Sequence, residues 1–200
     1  MKNVFNKLDP TQVSFGSLKT KLFTYKELEV LLNLRPFTNS TRFIPCSLIK
    51  HHYWKNNCWA TDENCWPIHL IKMFVDKYAC YIRDASRANF KINEVAKKLE
   101  EVFKRCVDCH IYFSLCKKAK HFKKHKDISH NLIVVSEGTL RVEVFSNKKY
   151  TKILKTGDYV FIPAQVYHKL IPLTNKRISC SFPITLIESD TREEREWLKV

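Results

Sequence analysis

Residues 125–145 read HKDISHNLIVVSEGTLRVEVF, and the rest of the chain is interpreted from this stretch. His125 and Asp127 are separated by one residue; in an extended chain alternate side chains share a face, so the two can grip one ion. A β-prone run follows and ends at Gly138, one of only three glycines in 200 residues. So scarce a glycine is most useful at a turn or a close approach. Past it, Leu140, Val142 and Val144 alternate with polar residues and form an apolar strand face.

Downstream of residue 107 the texture is β throughout. VDCHIYFSL (107–115), NLIVVSEGTLRVEVFS (131–146), KKYTKILKTGDYVFIPA (148–164) and RISCSFPITLI (177–187) are short β-prone runs separated by turn residues. Upstream, residues 1–23 read as irregular. Thr24 to Glu27 form a capping box that opens a short helix over Leu28–Leu34, stopped by Pro36. Residues 37–66 are loop-like and aromatic, with Trp54, Trp59 and Trp66, and Pro67 closes them. Helical spacing recurs over Ile68–Tyr78 and again over 89–105, where Ile92, Val95, Leu99, Val102 and Phe103 share a face. Thr191–Glu194 is a second capping box, ahead of a terminal helix carrying Trp197.

The reading is an α+β chain. An α-rich N-terminal part (1–106) packs on one barrel (107–187), and a C-terminal helix covers 188–200. Two hundred residues suffice for one good core with a helical annex.

A third ligand for the ion must come from a strand distant in sequence and adjacent in the barrel, and His168 supplies it. Two imidazoles and one carboxylate with open positions suit iron(II), which needs free sites for a co-substrate and oxygen. An H-x-D pair alone is common and is often two solvated side chains; its surroundings single this one out. His125, Asp127, Asn131 and Gly138, then Gly157, Pro163 and His168, fall at the spacing of the two cupin motifs. Asn131, Gln165 and Pro172 stand where ordinary cupins carry glutamate, glycine and asparagine. The segment 107–187 resembles the Jumonji-C branch of the cupins, the group of the asparaginyl hydroxylase of oxygen sensing and the ribosomal oxygenases, with GDYVFIP before the distal histidine.

That resemblance implies a double-stranded β-helix (cupin or jelly-roll) barrel. It also implies iron(II) held by His125, Asp127 and His168, 2-oxoglutarate as co-substrate, and oxygen as oxidant. Tyr112 and Asn131 match positions that help hold the co-substrate, as does Ser181 more loosely. One residue departs from the family. The basic residue expected two positions after the strand glycine is Leu140 here, so another cation must meet the co-substrate's far carboxylate. Arg177, at the head of RISCSF and on one strand face with Ser179 and Ser181, is the candidate, and Lys152 is the fallback.

Two alternatives follow from the same residues: a cupin metalloenzyme that does not use 2-oxoglutarate, and a non-catalytic cupin that binds nucleic acid or protein. The net charge of +15 is a general attraction for polyanions such as nucleic acid, the ribosome or an acidic protein, or else a solvated basic surface. KKAKHFKKHK (117–126) concentrates that charge beside the metal pair.

Cys106-Val107-Asp108-Cys109-His110 formally matches a haem-attachment motif, and Cys106 and Cys109 could be half of a zinc site completed by Cys58 and Cys65 or a nearby histidine. His110, His121 and His130 read as polar neighbours of the centre. No apolar run approaches the roughly 20 residues of a membrane span, and MKNVFNKLDPTQ lacks the apolar core of a secretory signal. The expectation is therefore a cytoplasmic protein whose eight cysteines are thiols.

Overall fold

A computed structural model describes residues 4–32, 41–44, 77, 79–83, 85–119 and 121–186. The aromatic stretch 51–66 with its three tryptophans, Cys58 and Cys65, the helix over Ile68–Tyr78, and the terminal helix with Trp197 lie outside the described residues.

Ten strands and two α-helices are described. In chain order they are β1 (Ser14–Ser17), α1 (Tyr25–Leu32), β2 (Thr41–Ile44), β3 (Ala79–Ile82), α2 (Phe90–Phe103), β4 (His110–Ser114) and β5 (His130–Glu137). They continue as β6 (Thr139–Phe145), β7 (Lys149–Lys155), β8 (Asp158–Ile162), β9 (Tyr167–Pro172) and β10 (Arg177–Ile184). The strands form two antiparallel sheets, a large one in the order β1-β8-β5-β10-β4-β3-β2 and a small one in the order β7-β6-β9. From β5 onward the chain crosses between them: β5 is in the large sheet, β6 and β7 in the small one, β8 in the large, β9 in the small and β10 in the large.

The two predicted helices that fall within the described residues form where their caps lie. Thr24 N–H and Oγ1–H donate to Glu27 Oε2 at 2.8 and 2.7 Å, and Glu27 N–H donates back to Thr24 Oγ1 at 3.2 Å. Asn89 caps α2 by accepting from Ile92 N–H at 2.9 Å. Ile92, Val95 and Leu99 bury their stripe against the large sheet.

Two expectations need correction. Residues 14–17 are not irregular: β1 pairs with β8. Thr41–Ile44, inside a stretch read as loop, pairs with β3. Each of these strands is four residues long and gets its order from a partner distant in sequence, so local periodicity is too short to reveal it. The part before residue 107 thus contributes strands as well as helices. His168 lies in β9, a strand distant in sequence from the 125–127 pair and hydrogen-bonded to β6.

The centre of the large sheet, β8, β5 and β10, is buried on both faces, which accounts for unbroken apolar runs such as Leu132–Val135. One face, with Leu132, Val134, Phe161, Cys180 and Phe182, packs under the helices. The other, with Ile133, Val135, Val160 and Ile162, meets Leu140, Val142, Val144 and Leu154 of the small sheet. The apolar face expected of β6 is therefore the barrel's own core, with all three residues at 0 % exposure. Gly138 makes the turn from β5 to β6 at φ +83°, and a Cβ there would collide with the carbonyl oxygen of Lys176.

Among the described residues no helix is long and apolar enough to cross a membrane.

Candidate metal centre

β10 sets the chemistry of the barrel interior. Ile178, Cys180, Phe182 and Ile184 face the helices, while Arg177, Ser179 and Ser181 turn the other way into a cavity of about 370 Å³. A register shift between Ile178 and Ser179 falls beside Arg177, and such bulges re-aim neighbouring side chains. The polar half of this strand, buried at 2–5 % exposure, is the inner wall of the cavity.

His125 and Asp127 enter the same cavity from the chain ahead of β5, and His168 from β9. The two histidines form an isolated antiparallel pair: His125 N–H donates to the His168 carbonyl at 3.0 Å, and His168 N–H to that of His125 at 2.8 Å. Gln165 N–H donates to the Asp127 carbonyl at 2.8 Å and holds the loop in place. Gln165 adopts φ +62° at the cupin glycine position, so the left-handed turn is kept without the residue that favours it.

The side chains of the three residues converge. Asp127 Oδ1 lies 3.7 Å from His125 Nε2, and Asp127 Oδ2 lies 3.6 Å from His168 Nε2. One donor atom from each of the three lies within 4.8 Å of the others. Two donors about 2.1 Å from one ion are at most about 4.2 Å apart, so both imidazole–carboxylate separations fit a shared ion.

Each ring is oriented for the task. His125 Nδ1–H donates to the Lys123 carbonyl at 2.8 Å, and His168 Nδ1–H to that of Val166 at 3.0 Å. A carbonyl can only accept, so Nδ1 carries the proton in each neutral ring and Nε2 is the atom left to bind a metal. Burial pushes the His168 imidazole below its ordinary value, which keeps it neutral.

Asp127 is held from behind. Asn131 Nδ2–H donates to Asp127 Oδ2 at 3.1 Å, and Ser181 Oγ–H donates to Asn131 Oδ1 at 2.7 Å. The two bonds fix the amide's orientation and connect β10 to the carboxylate through β5.

Arg177 is 5 % exposed; its Nη1–H donates to Ser179 Oγ at 2.9 Å, and its Nε has no hydrogen-bond partner. Among the described residues no carboxylate lies within 4.0 Å of it. Burial lowers its pKa to about 10, so the guanidinium is still charged at neutral pH. Tyr112 lines the same cavity, stacked on Tyr81 at 5.2 Å, and burial raises its phenol.

The structure thus brings Tyr112, Asn131, Arg177 and Ser181 together with His125, Asp127 and His168 around one cavity. His110 and His121 also line it. His130 does not: its Nδ1 accepts from Ala164 N–H at 3.1 Å and its ring packs by Phe103 and Phe161. Lys152, the fallback cation, reaches instead over the Phe15 ring at 4.5 Å. Cys109 is buried in the core beside Cys180, which leaves no room for haem attachment. Among the described residues, the triad is the only group of three or more metal-binding side chains.

Sequence reading missed Tyr25 of α1. Its hydroxyl donates to the Ser114 carbonyl at 2.6 Å and accepts from Arg177 N–H at 2.8 Å, tying the ends of β4 and β10 together. That contact spans 152 residues, and no local pattern signals it.

No family model and no curated protein sequence matches the chain. Solved structures do. The ribosomal oxygenase YcfD from Escherichia coli is similar at 18% identity and a TM-score of 0.49, over 60% of this chain and 35% of that one. The same enzyme in complex with cobalt and 2-oxoglutarate gives 18% and 0.45, over 60% and 35%. Streptomyces albus HEPD with 2-hydroxyethylphosphonate and Fe(II) bound gives 16% and 0.34, over 47% and 21%. The chain spans about a third of the length of YcfD. Ribosomal oxygenases, one of the groups named by the sequence resemblance, are thus among the solved structures to which this chain is similar.

Proposed function

We propose that this chain is an iron(II)- and 2-oxoglutarate-dependent oxygenase, a hydroxylase acting on a protein or nucleic acid. One observation carries the reading. A single cavity holds two histidines and a carboxylate that converge, together with a buried arginine for which the described residues supply no anion. A diacid with one end on a metal and the other on a cation matches that pairing. The repeated crossing of β5 to β10 between two facing sheets supports reading 107–187 as a double-stranded β-helix on which 1–106 packs.

The donor set fits iron(II): two imidazoles, one carboxylate, and an open side where His125 and Asp127 are about a third exposed. His125, Asp127 and His168 would hold the ion, with Asn131 and Ser181 keeping the carboxylate turned toward it. When bound, iron(II) would couple the splitting of oxygen and the conversion of 2-oxoglutarate to succinate and carbon dioxide to hydroxylation of a substrate C–H. Arg177 would neutralise the far carboxylate, and Ser179 would keep the guanidinium in place. The Tyr112 hydroxyl would donate to the co-substrate, since burial holds it protonated. Tyr112, Phe122 and Tyr81 would exclude water on that side.

The test is succinate formation from 2-oxoglutarate by the iron-loaded chain in air, without prime substrate. Slow turnover is expected, and Asp127→Ala should abolish it by removing the anionic ligand. Metal binding without diacid binding would favour a metalloenzyme that does not use 2-oxoglutarate. Binding of neither would favour a non-catalytic role.

A further inference from the structure

The outer face of the small sheet carries a row of side chains that the metal centre does not use. Across the strands, Tyr167 of β9 pairs with Phe145 of β6, and Phe145 with Lys149 of β7. The bridge between His125 and His168 brings the 124–126 segment alongside β9, so Lys124 and Lys126 flank the same line. Lys124 Nζ lies 4.0 Å from the Phe145 ring centre and 5.2 Å from that of Tyr167. Lys126 Nζ is 5.7 Å from Tyr167, and Lys149 Nζ is 5.6 Å from Phe145.

Tyr167 is 46% exposed, and all three lysines are exposed. Among the described residues no carboxylate lies within 4.0 Å of these ammonium groups. Glu143, the acid on the same face, pairs with Arg141 at 3.2 Å. The row is therefore two aromatic rings set among three uncompensated cations, bordering the cavity, because His168 points inward from the residue next to Tyr167.

We propose that this row is a platform for single-stranded nucleic acid, running beside the metal centre. Such strands are held by cations that follow the phosphates and by rings on which bases stack. Both are present here along one edge of the sheet face, each ammonium within about 6 Å of a ring centre. Each lysine lies over a ring that a base would take. An exposed ammonium–ring contact is weaker than a stacked base, so a base displaces the ammonium and frees it for the neighbouring phosphate. An acidic protein segment would use the lysines and leave the rings without a role. The proposal is independent of the oxygenase reading, since the platform needs neither metal nor co-substrate.

The experiment is fluorescence anisotropy of the full chain with labelled oligouridine and oligothymidine of about 12 nucleotides, within the range of single-strand sites. With three phosphate contacts, affinity should fall roughly 20-fold between about 50 and 200 mM salt. The double substitution Lys124→Ala and Lys126→Ala should flatten that fall to roughly 3-fold. Tyr167→Leu, which keeps apolar bulk against Phe145, should weaken binding by about 5-fold or more with the salt slope unchanged. Tyr167→Trp should retain binding, which separates loss of stacking from loss of fold. The proposal is overturned if neither oligonucleotide binds at low salt, or if Tyr167→Leu binds like the parent. It is also overturned if polyglutamate of matched charge competes equally, which would assign the face to an acidic protein.

Discussion

Replacing Arg177 by methionine should move stability and co-substrate affinity in opposite directions. The guanidinium is buried, has one hydrogen bond to Ser179, and leaves Nε without a partner. Burial lowers its pKa from the ordinary arginine value to about 10, an unfavourable transfer of roughly 3 kcal/mol. Below about pH 10 both the folded and unfolded chains carry the proton, so the full penalty applies at neutral pH and is relieved only as pH rises above that. Methionine fills similar space without the charge. Losing the bond to Ser179 returns about 1 kcal/mol of the gain. The ligand-free variant should therefore be more stable by about 2 kcal/mol, a rise in Tm of about 4–8 °C for a chain of this size.

The same change removes the cation for the far carboxylate, so 2-oxoglutarate should bind more weakly by about 1.5–3 kcal/mol, or roughly 10- to 150-fold. Differential scanning calorimetry reads the first effect. Calorimetric titration of 2-oxoglutarate into the manganese-loaded protein reads the second, with manganese affinity as control. A lower Tm together with unchanged 2-oxoglutarate affinity would refute the reasoning, because Arg177 would then be a structural cation satisfied by its surroundings.

Asn131→Ala should weaken metal binding by about 10- to 100-fold, as expected when a group that orients a ligand is lost, and metal titration checks it. Tyr25→Phe strands the Ser114 carbonyl and the Arg177 N–H, so urea unfolding should show a loss of about 1–3 kcal/mol. Leu140→Ala, in a residue at 0 % exposure between the sheets, should cost about 2–5 kcal/mol in the same assay. Leu140→Lys restores the family's basic residue in type. It should nevertheless leave 2-oxoglutarate affinity without gain and unfold more readily than Leu140→Ala, because the ammonium would enter an apolar core.

The features legible in the sequence are those encoded by neighbouring residues. A capping box needs only Thr24 and Glu27, and the stripe of α2 needs only its own 3.6-residue period. His125 and Asp127 share a face because alternate side chains of any extended chain do. Likewise the chemistry of a donor set depends on residue type, so two histidines and an aspartate suggested a divalent ion before any coordinates. RISCSF could be read as polar on one side for the same reason.

Tertiary structure decided everything that depends on partners distant along the chain. β1, β2 and β3 are too short to carry a period, and pairing with β8, β3 and β4 respectively is what orders them. Sequence placed Arg177 and Ser181 on one face, but only the packing of β10 between β4 and β5 turned that face inward, buried the guanidinium, and left it without a carboxylate. His130 and His110 are chemically alike, yet one packs behind the sheet and the other lines the cavity. The sequence alone determined which groups carry the charge and the lone pairs. Which of them share one desolvated volume was decided by non-local strand pairing, because burial is a property of the assembled sheets and of no single segment.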